Sequence, residues 1–129
     1  MKKREAQFGT LFRSWLRRNP MPTSAFELKQ TTADYLPFSD VKDHQIDALL
    51  SAKNGQLLWK LPDDSRGIKC FDYFYFNQAA AWVVIKYPRS FEIIDIEVFL
   101  LEKERSARKS LTSKRAQEIS TTSVPLRGR

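Results

Sequence analysis

The chain has 129 residues, enough for one domain with a single modest core, and its hydrophobic content of 42% excludes an intrinsically disordered protein. One cysteine and one histidine exclude an intramolecular disulfide and a Cys/His zinc site, and no apolar run approaches the roughly 20 residues that span a bilayer. The net charge of +7 is concentrated at the ends, with +5 in residues 1–20, +6 in residues 103–129 and −4 in the 82 residues between them.

Residues 4–18 have aromatic residues and leucines at helical spacing, which predicts an amphipathic first helix that ends at Asn19-Pro20. A strand is expected from Ala25 to Thr31. Because side chains alternate between the two faces of a strand, Glu27 and Lys29 are expected on the same face.

Ser39 is a favoured N-cap residue, which predicts a second helix from there to Asn54-Gly55, with Asp40 and Asp43 in its first turn. A helical or irregular segment should start near Glu97, and a last helix should run from Ser110 or Thr112 to about Ile119. Between the second helix and Glu97, strands are predicted near residues 56–61, 71–76, 80–87 and 91–96.

This order of elements predicts a single α/β domain over residues 1–119, in which helices flank a mixed, largely antiparallel central sheet. The run 80–87 is almost continuously apolar, as expected of a central strand covered on both faces. Residues 120–129 are expected to form a disordered basic tail.

Aromatic residues are concentrated in and after the strand at 71–76, and two interpretations are open. Packing in the core is the commoner use of such residues, whereas a stacking platform for unpaired bases would require exposed rings beside basic residues. The set comprises Phe71, Tyr73, Phe74, Tyr75, Phe76 and Trp82. The apolar residues around 93–100 are a candidate dimer interface.

Glu27 and Lys29 form an E-x-K pair with the composition that phosphodiester hydrolysis requires. A carboxylate can hold a divalent cation, and a neighbouring ammonium group can position water or stabilise charge on phosphate. E-x-K pairs also occur by chance in most proteins of this size, and the alternative interpretation is an exposed ion pair.

The stretch FELKQTTADYLPFSDVKDHQIDALL, residues 26–50, resembles the core of RecU-type Holliday junction resolvases. In that family an E-x-K strand is followed by a Thr-rich segment, a Phe-containing turn and a helix with His-Gln. These features are found here as Glu27-Leu28-Lys29, Gln30-Thr31-Thr32, Phe38 and His44-Gln45. GTLFRSWLRRNP also resembles the first helix of that family, and RKSLTSKRAQEIS its carboxy-terminal region.

The resemblance implies a restriction-endonuclease-like PD-(D/E)XK fold and a metal-dependent endonuclease, here a Holliday junction resolvase. Glu27 would be a metal ligand, Lys29 would orient or activate water, and Gln45 would reach the active site. The implied cofactor is Mg²⁺, with Mn²⁺ as a substitute. The implied partners are branched or double-stranded DNA and a second copy of the chain, because a four-way junction has near two-fold symmetry. The expected location is the cytoplasm, that of a host cell if the source is a virus.

The chain departs from the family pattern because residues 1–26 contain no Asp upstream of E-x-K. Two other carboxylates are candidate metal ligands, Glu5 in the first helix and Asp72 before a later strand. We expect Asp72 to complete the cluster with Glu27; the alternative is that Asp72 only caps a hairpin.

The basic ends are interpreted either as solvated surface or as a phosphate-binding rim around an acidic pocket. The predicted DNA-binding residues are Arg13, Arg17, Arg18, Arg105, Arg108, Lys109, Lys114 and Arg115. Two alternatives to a resolvase remain open: a non-catalytic module that binds structured DNA on a degenerate nuclease fold, and a restriction-type or mismatch endonuclease.

Overall fold

The structure is a computed structural model that describes residues 2–62, 67 and 71–126, with side chains described from residue 7 onward. Its helices are α1 (Lys2–Arg18), α2 (Asp43–Asn54), α3 (Ile96–Arg105) and α4 (Ser113–Ile119), with a 3-10 helix at Phe38–Asp40. Its strands are β1 (Ser24–Gln30), β2 (Tyr35–Pro37), β3 (Gln56–Lys60), β4 (Tyr73–Asn77), β5 (Ala80–Lys86), β6 (Ser90–Asp95), β7 (Ser110–Thr112) and β8 (Thr122–Pro125). None of these helices is long and apolar enough to cross a membrane.

A four-stranded mixed sheet with the order β1-β5-β6-β8 forms the centre of the domain. β1 runs parallel to β5, and the other two pairs are antiparallel. The connection from β1 to β5 contains α2, as parallel neighbours require a crossover rather than a tight turn. The predicted α/β architecture with a mixed central sheet and flanking helices is therefore confirmed.

β5 lies between two strands, and its side chains point alternately into two hydrophobic clusters. Val84 packs with Phe8 and Phe12 of α1 on one face of the sheet. Val83 and Ile85 pack with residues of α2, α3 and α4 on the other. Because both faces are covered, nearly every residue of this strand is apolar, as the sequence predicted.

α1 is held against its face of the sheet by aromatic rings. The ring of Phe12 meets Phe26 of β1 edge-on at 4.9 Å and Phe91 of β6 at 5.9 Å between ring centres. Edge-on aromatic pairs contribute about 0.5–1.5 kcal/mol beyond their buried area. The apolar stripe of α1 therefore fixes this helix across β1 and β6.

The prediction that Ser39 caps the second helix is wrong. Ser39 and Asp40 belong to the 3-10 helix, and α2 starts only at Asp43 with Lys42 as its N-cap. The reason is that Phe38 and Val41 are both buried in the core, so the chain must make an additional turn before the helix begins. The predicted end at Asn54-Gly55 is confirmed, and a Cβ on Gly55 would lie 3.0 Å from the carbonyl oxygen of Ser51.

The prediction of a disordered tail from residue 120 is wrong for residues 122–125. These residues form β8, which pairs with β6 so that Val124 lies opposite Phe91 and joins the cluster under α1. The segment contains one large apolar residue, too few to produce a visible alternating pattern. Residues 127–129 lie outside the described residues.

The proposed interface at residues 93–100 is also wrong for most of its apolar residues. Ile93, Ile94, Ile96 and Phe99 are buried in the core of the chain itself. Ile94, Ile96 and Phe99 pack in the cluster that contains α2 and α4. An interface would have to use other residues.

The expectation that the aromatic set packs in the core is wrong for most of its members. β3 and β4 form a separate two-stranded hairpin, and Phe71, Tyr73, Phe74 and Tyr75 are each about half exposed, at 51%, 55%, 45% and 55%. Trp82 instead belongs to β5 and packs under α1. Sequence cannot separate these cases, because a strand with aromatic residues on both faces resembles a core strand.

Candidate active site

Glu27 and Lys29 lie on the face of β1 that is directed towards α2. They pair in register with Val83 and Ile85 of β5, whose side chains belong to the cluster on that face. The Lys29 Nζ is 3.7 Å from the Glu27 Oε2, and the two side chains are 20% and 28% exposed. β1 is an edge strand, so both charges remain accessible to solvent while their stems pack on the sheet.

Gln45 of α2 completes this group from the opposite element. Its Nε2 donates a hydrogen bond of 3.0 Å to the Glu27 Oε2. Its Oε1 accepts one of 2.9 Å from the backbone N–H of Lys42, the residue that caps α2. Both ends of the amide are therefore fixed, and the structure brings Gln45 into contact with the E-x-K pair.

A cavity of about 590 Å³ opens above these three side chains. Thr31 and Thr32 after β1, and Phe8 of α1, contribute to its walls. Asp40 and Lys42 also line it, one from the 3-10 helix and one from the start of α2. The cavity is therefore lined by both negatively charged carboxylates and positively charged ammonium groups. This composition could accommodate a cation together with a phosphate.

Asp40 is the site residue that the sequence interpretation missed. As a residue in the first turn of the second helix, it would only have complemented the helix dipole. Because the helix begins three residues later, Asp40 instead faces the same cavity as Glu27. In the sequence, the only indication was the presence of an aspartate 13 residues after Glu27. The direction of its side chain depends on the 3-10 turn.

Asp72 does not lie in this cavity. It precedes β4 at the end of the hairpin where Lys60 pairs with Tyr73, whereas the hairpin is joined to α2 at its other end, where Gln56 pairs with Asn77. Its backbone carbonyl accepts a hydrogen bond from Leu61, which extends the hairpin by one residue. The expectation that Asp72 completes a cluster with Glu27 is therefore wrong, because the hairpin carries it away from β1.

Glu5 cannot be placed at the site. Its backbone belongs to α1, but its side chain lies outside the described residues.

The oxygen donors that could hold a cation in this cavity are the carboxylates of Glu27 and Asp40. Across the described residues, no group of three or more His, Cys, Asp or Glu side chains could hold a metal ion. Mg²⁺ is usually bound by one or two carboxylates, with water and phosphate oxygens supplying the other ligands. Glu27 and Asp40 are two such carboxylates in one cavity, so the cation would depend on its substrate for part of its coordination.

No protein-family model and no curated protein matches this chain. The chemistry of the cavity is therefore inferred from its own side chains.

The eight predicted DNA-binding residues are all exposed. Arg13, Arg17 and Arg18 come from α1, on one face of the sheet, and the other five come from α3, α4 and the residues between α3 and β7. Arg115 differs from the rest because its guanidinium donates to both oxygens of Glu102 and to Glu118, at 2.9 to 3.0 Å. These hydrogen bonds raise the pKa of Arg115. Arg115 is thus already paired within the chain, which makes it a weaker candidate for phosphate binding than the prediction assumed.

Lys53 fixes the far end of α2. Its ammonium group donates to both carboxylate oxygens of Asp95, at 3.0 and 2.9 Å, and to Glu97 at 3.1 Å. Burial lowers the pKa of Lys53, but the hydrogen bonds to the two carboxylates raise it by more, so the net shift is upward. Asp95 also caps α3 through the N–H of Glu97, so this group links the last turn of α2 to the start of α3.

Proposed function

We propose that the protein is a metal-dependent endonuclease that hydrolyses phosphodiester bonds in DNA. The observation that carries the proposal is the convergence of Glu27, Lys29 and Gln45 at one cavity, where a strand and a helix bring together Glu27 and Gln45, which are 18 residues apart in sequence. A chance E-x-K pair would not be expected to meet an amide held by a helix cap.

Each of these side chains has a separate role in the proposed hydrolysis. Glu27 and Asp40 would hold a divalent cation, which supplies Lewis acidity at the phosphate and acidifies water. Gln45 donates to Glu27 and so fixes the direction of its carboxylate. The Lys29 ammonium stands beside that carboxylate, where it can orient the attacking water and stabilise the charge that develops on the phosphate.

The fold proposed for this site is the PD-(D/E)XK nuclease core. The mixed sheet flanked by helices, and the E-x-K strand followed by a helix that returns Gln45 to it, support this assignment. The resemblance of residues 26–50 to RecU-type resolvases narrows the substrate to four-way DNA junctions. Paired cuts in such a junction require a homodimer, in keeping with its two-fold symmetry.

The test is cleavage of a synthetic four-way junction and of a linear duplex of the same sequence, with Mg²⁺ and with EDTA. We expect Mg²⁺-dependent cuts placed symmetrically in the junction, and a loss of about 10²-fold or more in Glu27→Ala and Lys29→Ala. Glu104→Gln, an exposed carboxylate of α3, is the matched control and should cleave at the normal rate. Equal cleavage of the duplex would instead indicate a restriction-type or mismatch endonuclease.

A non-catalytic module that binds structured DNA is the second candidate. It is favoured by one observation, namely that no group of three or more His, Cys, Asp or Glu side chains that could hold a metal ion is found among the described residues. A chain that binds the junction tightly in Mg²⁺ but cuts neither DNA would establish this candidate and exclude the nuclease.

A further inference from the structure

We propose that one face of the β3–β4 hairpin stacks on unpaired bases of the DNA. This face, called here the tyrosine face, carries Leu58, Lys60, Tyr73 and Tyr75. The proposal rests on the proposed function in one respect, because the ligand is the branched DNA substrate, and it adds to that function a contact outside the active site.

The register of the hairpin assigns its side chains to two different faces. Leu58 lies opposite Tyr75, and Lys60 opposite Tyr73, so these four residues share one side. The other side, the phenylalanine face, carries Leu57, Trp59, Phe74 and Phe76. On that face the rings of Phe74 and Phe76 contact each other edge-on at 6.1 Å.

The tyrosine face has the composition of a base-stacking surface. Leu58, Tyr73 and Tyr75 are 64%, 55% and 55% exposed, and the ammonium-bearing Lys60 stands directly across from Tyr73. Successive side chains on one face of a strand are about 7 Å apart, twice the 3.4 Å rise of stacked bases. Two tyrosine rings at that spacing can each take a base from an unstacked strand but cannot both enter an intact duplex.

Charge favours DNA over a second copy of the chain as the occupant of this face. In a symmetric contact through the tyrosine face, a second copy would present the same four residues, none of which carries a negative charge to pair with Lys60. A nucleic-acid strand has phosphates for the lysine and base rings for the tyrosines. Of the two classes of partner, the single strand is complementary in both respects.

The helix α2 separates the hairpin from the proposed active site. It begins directly after α2, whose first turn carries Gln45 and whose 12 residues span about 18 Å. That length corresponds to about five base pairs of duplex. The unpaired bases should therefore lie roughly five or more nucleotides from the bond that is cut.

The test is the binding of a fluorescent single-stranded oligothymidylate, measured by anisotropy in EDTA so that cleavage plays no part. We expect Tyr73→Ala and Tyr75→Ala each to weaken single-strand binding by about tenfold, with little effect on a linear duplex. Tyr73→Phe and Tyr75→Phe should bind normally, because the ring is retained. Phe74→Ala, on the opposite face of the same hairpin, is the matched control and should also bind normally.

Photocrosslinking of the unaltered protein to an oligonucleotide that contains 5-iododeoxyuridine provides a second measurement that does not depend on any variant folding. Crosslinks at Tyr73 or Tyr75 support the proposal, and crosslinks confined to other residues overturn it. Unchanged single-strand affinity in the two alanine variants also overturns it. A smaller oligomer mass of these variants than of the unaltered protein overturns it as well, because it would mean that a second copy covers this face. If the unaltered chain cuts no DNA but Tyr73→Ala and Tyr75→Ala weaken single-strand binding, only the active-site proposal has failed. If cleavage depends on Glu27 but single-strand binding is unchanged in the two alanine variants, only the present proposal has failed.

Discussion

Gln45→Glu is the substitution that examines the site most directly, because it changes one atom of the side chain and nothing of its size. The amide nitrogen that now donates to Glu27 would become a carboxylate oxygen about 3 Å from another carboxylate. The oxygen that accepts from the N–H of Lys42 would be kept, so the cap of α2 should survive. The variant would therefore carry three carboxylates around one cavity, counting Asp40.

The size of the effect follows from the geometry. Two like charges at 4 Å repel by about 4 kcal/mol at an effective dielectric constant of 20, and partial exposure of Glu27 reduces this value. Loss of the hydrogen bond contributes about 1 kcal/mol. A destabilisation of about 2 kcal/mol without divalent cations is therefore expected, which lowers the melting temperature of a chain of this size by roughly 6–10 °C.

Thermal melts in EDTA and in Mg²⁺ or Ca²⁺ measure this effect. A cation that neutralises the three carboxylates should restore most of the lost stability, and should bind the variant more tightly than the unaltered chain. Gln117→Glu, the same exchange at an exposed position of α4, serves as the control and should show neither change. If Gln45→Glu melts normally in EDTA, or if cations do not raise its melting temperature, the carboxylates do not share one cation site.

Three further predictions concern two buried aromatic residues, Tyr87 and Phe99. The Tyr87 hydroxyl donates 2.9 Å to the Leu111 carbonyl, so Tyr87→Phe should cost about 1–3 kcal/mol in urea unfolding by leaving a buried carbonyl without a partner. Burial, together with nearby Glu92, also raises the pKa of the Tyr87 phenol, so at high pH the folded chain keeps a proton that the unfolded chain loses. The free energy of unfolding should therefore be insensitive to this group below about pH 10 and fall above it. In Tyr87→Phe this fall should be smaller. Phe99→Ala, in the fully buried ring that meets Phe38 at 5.7 Å, should cost about 3–5 kcal/mol, and a smaller loss would indicate that the core around α3 can collapse.

The parts of the site that sequence could predict are those set by short-range periodicity. Alternation along one strand places Glu27 and Lys29 on one face, and the structure shows them 3.7 Å apart. The approach of Gln45 to Glu27 was implied only by the resemblance to a known family. It also depends on a short-range contact, because the same side chain accepts the hydrogen bond from Lys42 at the start of α2. The central position of β5 followed from its continuous apolar run for the same reason.

The parts that sequence could not predict depend on where a few residues turn the chain. Asp40 reaches the cavity because Phe38 is buried and a 3-10 turn precedes α2, which no local propensity of Ser39 reveals. Asp72 leaves the site because its strand pairs with β3 in a separate hairpin instead of joining the central sheet. In both cases tertiary packing overrides a pattern that is plausible at short range.

The missing aspartate and the position of β1 are connected. A strand before E-x-K would bring an aspartate close to Glu27 by pairing with β1, and β1 already has β5 on one side. Its other edge is unpaired in the described sheet, so this edge is where such a strand would bind and where its aspartate would come close to Glu27. In the described chain the other carboxylate that lines the cavity with Glu27 is that of Asp40, in the connection that follows β1. Glu27, Asp40 and Gln45 thus all come from β1 and the residues that follow it. The exchange at Gln45 adds a third carboxylate to the two that line the cavity, and for this reason it is the change that should most increase the affinity of the proposed site for a cation.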